Sequence, residues 1–145
     1  MTSYAEKERA RYWPVSVELM AQYRDGSHTQ KDRNGNLIWR QNGQYHRDGD
    51  LPAKIYADGR LLWCKNGKLH RDQDKPSYIG LNGILSWYQT GQRHRFGGPA
   101  WIASDDKLEW LINGENITPK VREWLAGEEW RGTPEQIVEF QLRFA

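Results

Sequence analysis

The hydrophobic pattern of this chain repeats on a scale longer than a helical turn or a strand. Trp39, Trp63, Trp87 and Trp110 are separated by 24, 24 and 23 residues. A leucine lies two positions ahead of each (Leu37, Leu61, Leu85, Leu108) and a glycine four positions after (Gly43, Gly67, Gly91, Gly114). Another glycine precedes the first three tryptophans by four residues (Gly35, Gly59, Gly83), with Asp106 in that place in the last copy. His-Arg pairs follow at His46-Arg47, His70-Arg71 and His94-Arg95, then Pro52, Pro76 and Pro99, and three residues later Ile55, Ile79 and Ile102. Columns that coincide this often define a tandem repeat of about 24 residues.

The local chemistry of one copy is that of a β-hairpin. Asn34-Gly35, Asp58-Gly59 and Asn82-Gly83 are dipeptides that supply positive φ at both centres of a two-residue turn. Each turn joins a strand entered from the proline to a strand carrying Leu-x-Trp. Alternation puts Leu61 and Trp63 on one face and Leu62 and Cys64 on the other. The Leu/Trp face is constant in all four copies, whereas the opposite face changes: Ile38/Arg40, Leu62/Cys64, Ser86/Tyr88, Glu109/Leu111. The constant face is expected to be core and the varied one to meet solvent or a partner. Asn42-Gly43, Asn66-Gly67 and Asn113-Gly114 mark a second turn, with Thr90-Gly91 a weaker version. No single hairpin can bury its own Leu/Trp/Ile face, so stacked copies form a continuous twisted sheet or roll.

The ends read as caps. Residues 1–33 hold a short N-terminal helix, opened by the Ser3-Tyr4-Ala5-Glu6 capping box and running to about Arg11. A strand is expected at Val15-Ser16-Val17-Glu18-Leu19. Polar Ser27–Asp32, lacking the proline and isoleucine, reads as a degenerate first repeat whose edge strand resists further pairing. After the repeats at 34–114, residues 115–145 form a cap of two helices. One opens at Thr118-Pro119 and stops at Gly127; the other opens at Thr133-Pro134-Glu135-Gln136. Ile137, Phe140 and Phe144 give the second an apolar stripe that covers the end of the sheet or docks a partner. The fold class is therefore mainly β with terminal α-helices, in one compact domain.

Composition sharpens this in three ways. Eight Trp, seven Tyr and three Phe stand in an otherwise polar chain, so flat rings supply much of the buried area. The single cysteine, Cys64, excludes an internal disulfide and a cysteine-rich zinc site, and reads as a half-buried small hydrophobe. Residues 101–145 carry nine acidic against five basic side chains, leaving sixteen basic against ten acidic ahead of them. A mildly basic repeat region thus precedes a mildly acidic tail, which favours an anionic partner only weakly. The N-terminus lacks the apolar run of a signal peptide and no stretch approaches a membrane span, so a soluble, cytoplasmic protein is expected.

The third copy, Asn82-Gly83-Ile84-Leu85-Ser86-Trp87-Tyr88-Gln89-Thr90-Gly91-Gln92-Arg93-His94-Arg95-Phe96-Gly97-Gly98-Pro99-Ala100, resembles the MORN-like repeats of phage, bacterial and large-virus proteins, in which W-Y-x-N-G-x-x-H-R-x-x-G-P-A recurs. The resemblance covers about residues 34–114. The first two copies depart from it, with Asp50-Leu51-Pro52 and Asp74-Lys75-Pro76 in place of Gly-Pro. It implies a hairpin-repeat fold leading from Trp110-Leu111-Ile112-Asn113-Gly114 into terminal helices. For function it implies scaffolding, contact with anionic lipid heads, or an antitoxin-like role.

Among polar features the His-Arg ladder stands out. One zinc ion cannot bridge it, because equivalent positions two strands apart lie about 9–10 Å from each other while zinc ligands sit about 2 Å from the ion. Arg47, Arg71 and Arg95 form either a row of guanidiniums for phosphates or carboxylates, or a structural element bonded to turn carbonyls and to Asp48 and Asp72, with arginine lying across a tryptophan. The fidelity of the repeat favours the structural reading. No glycine-rich phosphate loop, G-x-S-x-G elbow or H-E-x-x-H motif is present. Asp105-Asp106 and Glu128-Glu129 fall in turns or helix ends, where paired carboxylates are solvated charge. The chain is therefore read as non-enzymatic and without a cofactor. It is expected to be a protein-interaction module, such as a phage- or bacterium-encoded inhibitor or antitoxin. The rival is a nucleic-acid or anionic-surface binder, and a structural virion component is the third reading. Candidate binding residues are Arg40, Tyr88, Arg47, Arg71, Arg95, Trp124 and Phe140.

Overall fold

Turn residues punctuate the chain so densely that no strand among the described residues exceeds two residues. The structure, a computed structural model, describes residues 2–145 and is mainly β with helices at both ends. An antiparallel sheet of eight strands runs Gln30–Lys31, Leu37–Ile38, Lys54–Ile55, Leu61–Leu62, Tyr78–Ile79, Leu85–Ser86, Trp101–Ile102 and Leu108–Glu109, neighbours pairing in that order. Its register draws two rows across the sheet. The inner row is Lys31, Leu37, Ile55, Leu61, Ile79, Leu85, Ile102, Leu108; the outer row is Gln30, Ile38, Lys54, Leu62, Tyr78, Ser86, Trp101, Glu109. Ile55, Leu61, Leu85 and Ile102 are fully buried, and each contributes about 1.5–3 kcal/mol relative to exposure.

Every Leu-x-Trp strand turns a corner at its tryptophan. Trp63 donates its N–H to Ser77 O on the sheet side (2.8 Å), while its carbonyl accepts the His70 N–H on the other (3.1 Å). Beyond the corner the chain enters a separate small hairpin, Cys64–Lys65 against Lys68–Leu69. Equivalent hairpins follow Trp39, Trp87 and Trp110: Arg40–Gln41 with Gln44–Tyr45, Tyr88–Gln89 with Gln92–Arg93, and Leu111–Ile112 with Glu115–Asn116. The corner means that the face opposite Leu/Trp is not simply solvent-facing, since Ile38, Cys64, Ser86 and Leu111 are all buried.

The two-residue turn expected at the first set of dipeptides is found at the second set instead, Asn82-Gly83 excepted. Both central residues have positive φ at Asn42-Gly43, Asn66-Gly67, Thr90-Gly91 and Asn113-Gly114, the mirror-image two-residue turn that suits strand twist. At Asp58-Gly59 only the glycine does. Tyr56 N donates to Arg60 O (2.9 Å) and Gly59 N to Tyr56 O (3.0 Å), a three-residue loop with a left-handed glycine. Asn34-Gly35 follows the same pattern, Asp106 (φ 70) takes the glycine's place in the last copy, and Asn82-Gly83 alone of the first set has both centres positive. Thr90 holds φ 50 with a β-branched side chain, which is strained. Thr90→Asn is expected to raise stability by about 1 kcal/mol, measured by urea denaturation; an unchanged or lower midpoint contradicts the assignment of strain.

Helices α1 (Tyr4–Tyr12) and α2 (Val17–Tyr23) lie against the inner row. Ser3 caps α1 by accepting the Glu6 N–H (3.1 Å), as the capping box predicts. The strand expected at Val15–Leu19 is corrected: Ser16 accepts the Leu19 N–H (3.1 Å) and starts α2 instead. The Val15/Val17/Leu19 alternation marks no face, since Val17 is 83% exposed while Val15, Met20 and Tyr23 pack on the core. Arg9 fastens α1 across the sheet, donating to Gly83 O and Ala103 O (3.1 and 3.0 Å) and pairing with Asp106 (2.8 Å).

At the other end, α3 (Thr118–Leu125) and α4 (Pro134–Phe144) enclose a second cluster around Trp110, Val121, Trp130 and Phe140. Thr133 caps α4 through the Gln136 N–H, and Gln136 reaches back to accept from Arg131 and Gly132. Tyr4 and Leu108 pack against both clusters, so the two ends of the chain meet.

Candidate functional site

The histidines and arginines that repeat most faithfully bond to the fold itself. Each histidine joins one hairpin to the next. His46 Nδ1 accepts the Asn66 N–H (3.0 Å), His70 Nδ1 that of Thr90 (3.1 Å) and His94 Nδ1 that of Asn113 (2.8 Å). The other ring nitrogen faces Asp48 and Asp72 in the first two cases (2.8 Å each), while His94 packs edge-on to Phe96. An Nδ1 that accepts a backbone N–H must be unprotonated.

Burial lowers the His94 pKa below its ordinary 6.5. The unfolded chain therefore takes up the proton first as pH falls, so this stabilisation is complete above about 6.5 and is lost as pH drops through the lowered folded value. Denaturation midpoints should decline over that acidic interval. His94→Gln, whose amide oxygen can accept the Asn113 N–H without titrating, is expected to flatten the decline. An equally steep profile in the variant contradicts the assignment to His94.

Arg47, Arg71 and Arg95 lie flat on Trp39, Trp63 and Trp87, with ring-centroid distances of 3.8, 3.7 and 4.0 Å. Each donates Nη1 to the carbonyl of the proline that follows it: Pro52 (3.2 Å), Pro76 (3.0 Å) and Pro99 (3.2 Å). Each also pairs with an aspartate from earlier in the chain: Asp25 (3.2 Å), Asp50 (2.8 Å) and Asp74 (2.9 Å). Asp50 and Asp74 further accept, through their carbonyls, the indole N–H groups of Trp63 and Trp87 (3.1 and 3.0 Å). Arg71 and Lys75 hold the Asp50 carboxyl below its ordinary pKa despite partial burial.

Side-chain exposures of 5, 7 and 5% leave these guanidiniums no free edge for an external anion. The arginine row is thus bonded internally, as the fidelity of the repeat suggested, but the arginines meet Asp25, Asp50 and Asp74, while the expected Asp48 and Asp72 meet the histidines. The aspartates are the functional positions that the sequence reading missed. Their signal was present, because Asp50 and Asp74 stand where the MORN-like pattern has glycine, one copy ahead of each paired arginine. Gly98 holds the equivalent place ahead of the last copy, which has no His-Arg pair.

The side chains outside this framework gather along the outer row of the sheet and on the small hairpins and loop that flank it. There, cations lie against half-buried rings. Arg40 sits 4.6 Å from the Tyr45 ring, and Lys54 Nζ lies 5.8 and 4.3 Å from Tyr45 and Tyr56. Arg60 covers Tyr56 at 4.0 Å, and its Nε donates to both carboxylate oxygens of Asp58. Arg93 lies 5.7 and 5.9 Å from the Tyr88 and Trp101 rings, and its Nε donates to the Tyr88 hydroxyl (3.0 Å). Gly80 makes room for Tyr78, since a Cβ there would lie 2.8 Å from the tyrosine ring. Of the residues singled out from sequence, Arg40 and Tyr88 belong to this surface.

Trp124 and Phe140 do not. Phe140 is 0% exposed beneath Trp130 and is corrected from a partner contact to the centre of the helical cap. Trp124 is half-buried against Phe144 and Arg143. The outward side of α4 instead presents Val138 and Leu142, the latter 82% exposed. Cys64 is buried at the floor of a cleft of about 220 Å³ that runs between the His46 and His70 loops. Burial pushes its thiol up to about 11, so it stays protonated and unreactive at neutral pH. No helix among the described residues is long and apolar enough to cross a membrane. No family model matches the chain, and neither a curated protein nor a solved structure matches it.

Proposed function

We propose that this chain is a MORN-like repeat protein that acts without catalysis, as a protein-binding module engaging its partner stoichiometrically. Its use as a phage- or bacterium-encoded inhibitor or antitoxin follows from the same resemblance. One observation carries the reading. The polar groups that recur along the chain are bonded within the fold, while the residues that vary leave tyrosine, tryptophan and arginine half-exposed on one sheet face. Those three residue types contribute most to protein–protein interfaces, tyrosine and tryptophan because they bury large rigid surfaces at little entropic cost, arginine because its planar guanidinium makes several directed hydrogen bonds. Immobilised protein at physiological salt is expected to retain a bacterial protein in a fixed ratio, read by light scattering of the eluted complex. Repeated recovery of the chain alone sinks the proposal.

A second reading, binding of nucleic acid, is favoured by the basic charges on the same face. It predicts a gel shift that weakens steeply as salt is raised. No shift at low salt eliminates it.

A further inference from the structure

We infer that the outer face of the eight-stranded sheet is the docking surface and that its occupant is an acidic, extended segment of a partner protein. The inference rests on the binding reading above and adds the place and the chemistry. Across the sheet, the outer row spans seven inter-strand gaps, roughly 35 Å at the usual spacing. About ten residues of extended chain cover that distance.

Charge complementarity names the occupant. Arg47, Arg71 and Arg95 are each neutralised by an aspartate. Among the described residues, Arg40, Lys54 and Arg93 form no ion pair and lie against tyrosine or tryptophan rings instead. Arg60 has Asp58, but the pair is exposed and adds little on its own. Of these cations only Lys54 stands in the row itself; Arg40 and Arg93 reach it from the small hairpins beyond the corner, Arg93 lying 5.9 Å from the Trp101 ring of the row. The row's one carboxylate, Glu109, is at its far edge. A carboxylate brought to Lys54 or Arg93 gains a charge-assisted hydrogen bond over an apolar ring that excludes water from it.

The same geometry argues against a nucleic-acid strand. Bases bind such strips by stacking on open ring faces, and here guanidinium or ammonium groups cover Tyr56 at 4.0 and 4.3 Å and Tyr45 at 4.6 Å. Four cations also offer few phosphate contacts over so long a surface. A carboxylate needs the cation alone and leaves the ring pairs undisturbed.

The test is fluorescence anisotropy on the full chain, with a labelled oligoglutamate peptide and an oligothymidylate of equal charge as probes. Lys54→Glu with Arg93→Glu reverses the face. Lys107→Glu with Lys120→Glu makes the same change in net charge elsewhere, and circular dichroism checks that each variant is folded. Neutral Lys54→Met with Arg93→Gln serves if the reversal does not fold. Oligoglutamate binding should fall about ten-fold or more in the face variant and stay unchanged in the control. No oligoglutamate binding, or binding that survives reversal of the face, overturns the inference. Oligothymidylate binding more tightly than oligoglutamate and lost in the same variant assigns the face to nucleic acid. Light scattering that finds a self-association abolished by the face variant assigns it to a second copy of this chain. A partner protein retained equally by wild type and face variant overturns the site while leaving the binding reading intact; only a wild type that retains nothing sinks that reading.

Discussion

Arg95→Met should destabilise the protein by about 3–5 kcal/mol, the cost of leaving a buried charge without its partner. Its effect is expected to exceed those of Arg71→Met and Arg47→Met, although the three arginines occupy equivalent places. The difference lies in what each arginine leaves behind. The partners of Arg71 and Arg47, Asp50 and Asp25, have side chains 40 and 45% exposed, and water can solvate them once the arginine is gone. Arg95 also pairs with Glu8 at 3.0 Å, and that side chain is 6% exposed. Among the described residues Glu8 has a second cation only in Arg11, at 3.6 Å and largely in solvent. Tyr4 completes the network by accepting from Arg95 Nη1, and burial raises its pKa to about 12, so it remains a neutral phenol. Thermal denaturation should show a fall of about 10 °C or more for a chain of this size. Glu8→Gln in the Arg95→Met background should recover part of the loss, because it removes the stranded charge. A loss below about 1 kcal/mol, or no coupling between the two sites, contradicts the buried-pair account.

The same network marks where the sequence was readable and where it was not. Features that depend on neighbours along the chain were legible: the Ser3 and Thr133 caps, the strand pairings that follow from Leu-x-Trp, and the left-handed turns. Even there Asn34-Gly35 and Asp58-Gly59 close longer loops than the two-residue turns expected of them. An Asn-Gly or Asp-Gly pair fixes where a loop closes, but the flanking bonds fix its length. At Asn34-Gly35 the Asp32 carboxylate accepts the Asn34 and Asn36 N–H groups and stabilises the longer loop. Features that depend on contact between distant residues were not legible. Arg95 meets Glu8 across 87 residues, and no local pattern in α1 separates Glu8 from the solvent-facing Glu6. Phe140 was misplaced for a related reason: an apolar helical stripe says that one side is covered, not whether the cover is Trp130 of the same chain or another protein. For the candidate surface, Arg40 and Tyr88 were identified from variability alone. Lys54, Tyr56 and Arg93 emerged only from their side-chain contacts, Lys54 over Tyr56 and Arg93 beside the Trp101 ring.

Trp110→Ala should cost a similar 3–5 kcal/mol, the range for truncating a fully buried tryptophan, and how the protein then unfolds is the more telling result. Trp110 is the last tryptophan of the series and the one without a stacked arginine from a His-Arg pair. Its ring is 0% exposed and meets Trp130 edge-on at 5.9 Å, while its backbone N–H goes to Thr118 Oγ1 (2.9 Å) and its carbonyl to the Ile117 N–H (2.8 Å). It therefore joins the sheet to the helical cap. In a purely one-dimensional array, loss of this joint would release the cap and last hairpin as a separate, low-temperature transition. Here α1 crosses the array. Tyr4 packs on Trp130 at 6.1 Å, Arg9 binds Ala103 O and Asp106, and Glu8 holds Arg95, so loosening the cap also loosens the sheet. Calorimetry of Trp110→Ala should accordingly show one transition, shifted down by about 10 °C, with calorimetric and van't Hoff enthalpies in agreement. Leu142→Ser, on the exposed side of α4, should leave the stability within about 0.5 kcal/mol of the parent. Two resolved transitions in Trp110→Ala would show that the N-terminal helix does not couple the two ends, and that the array unfolds repeat by repeat from its cap.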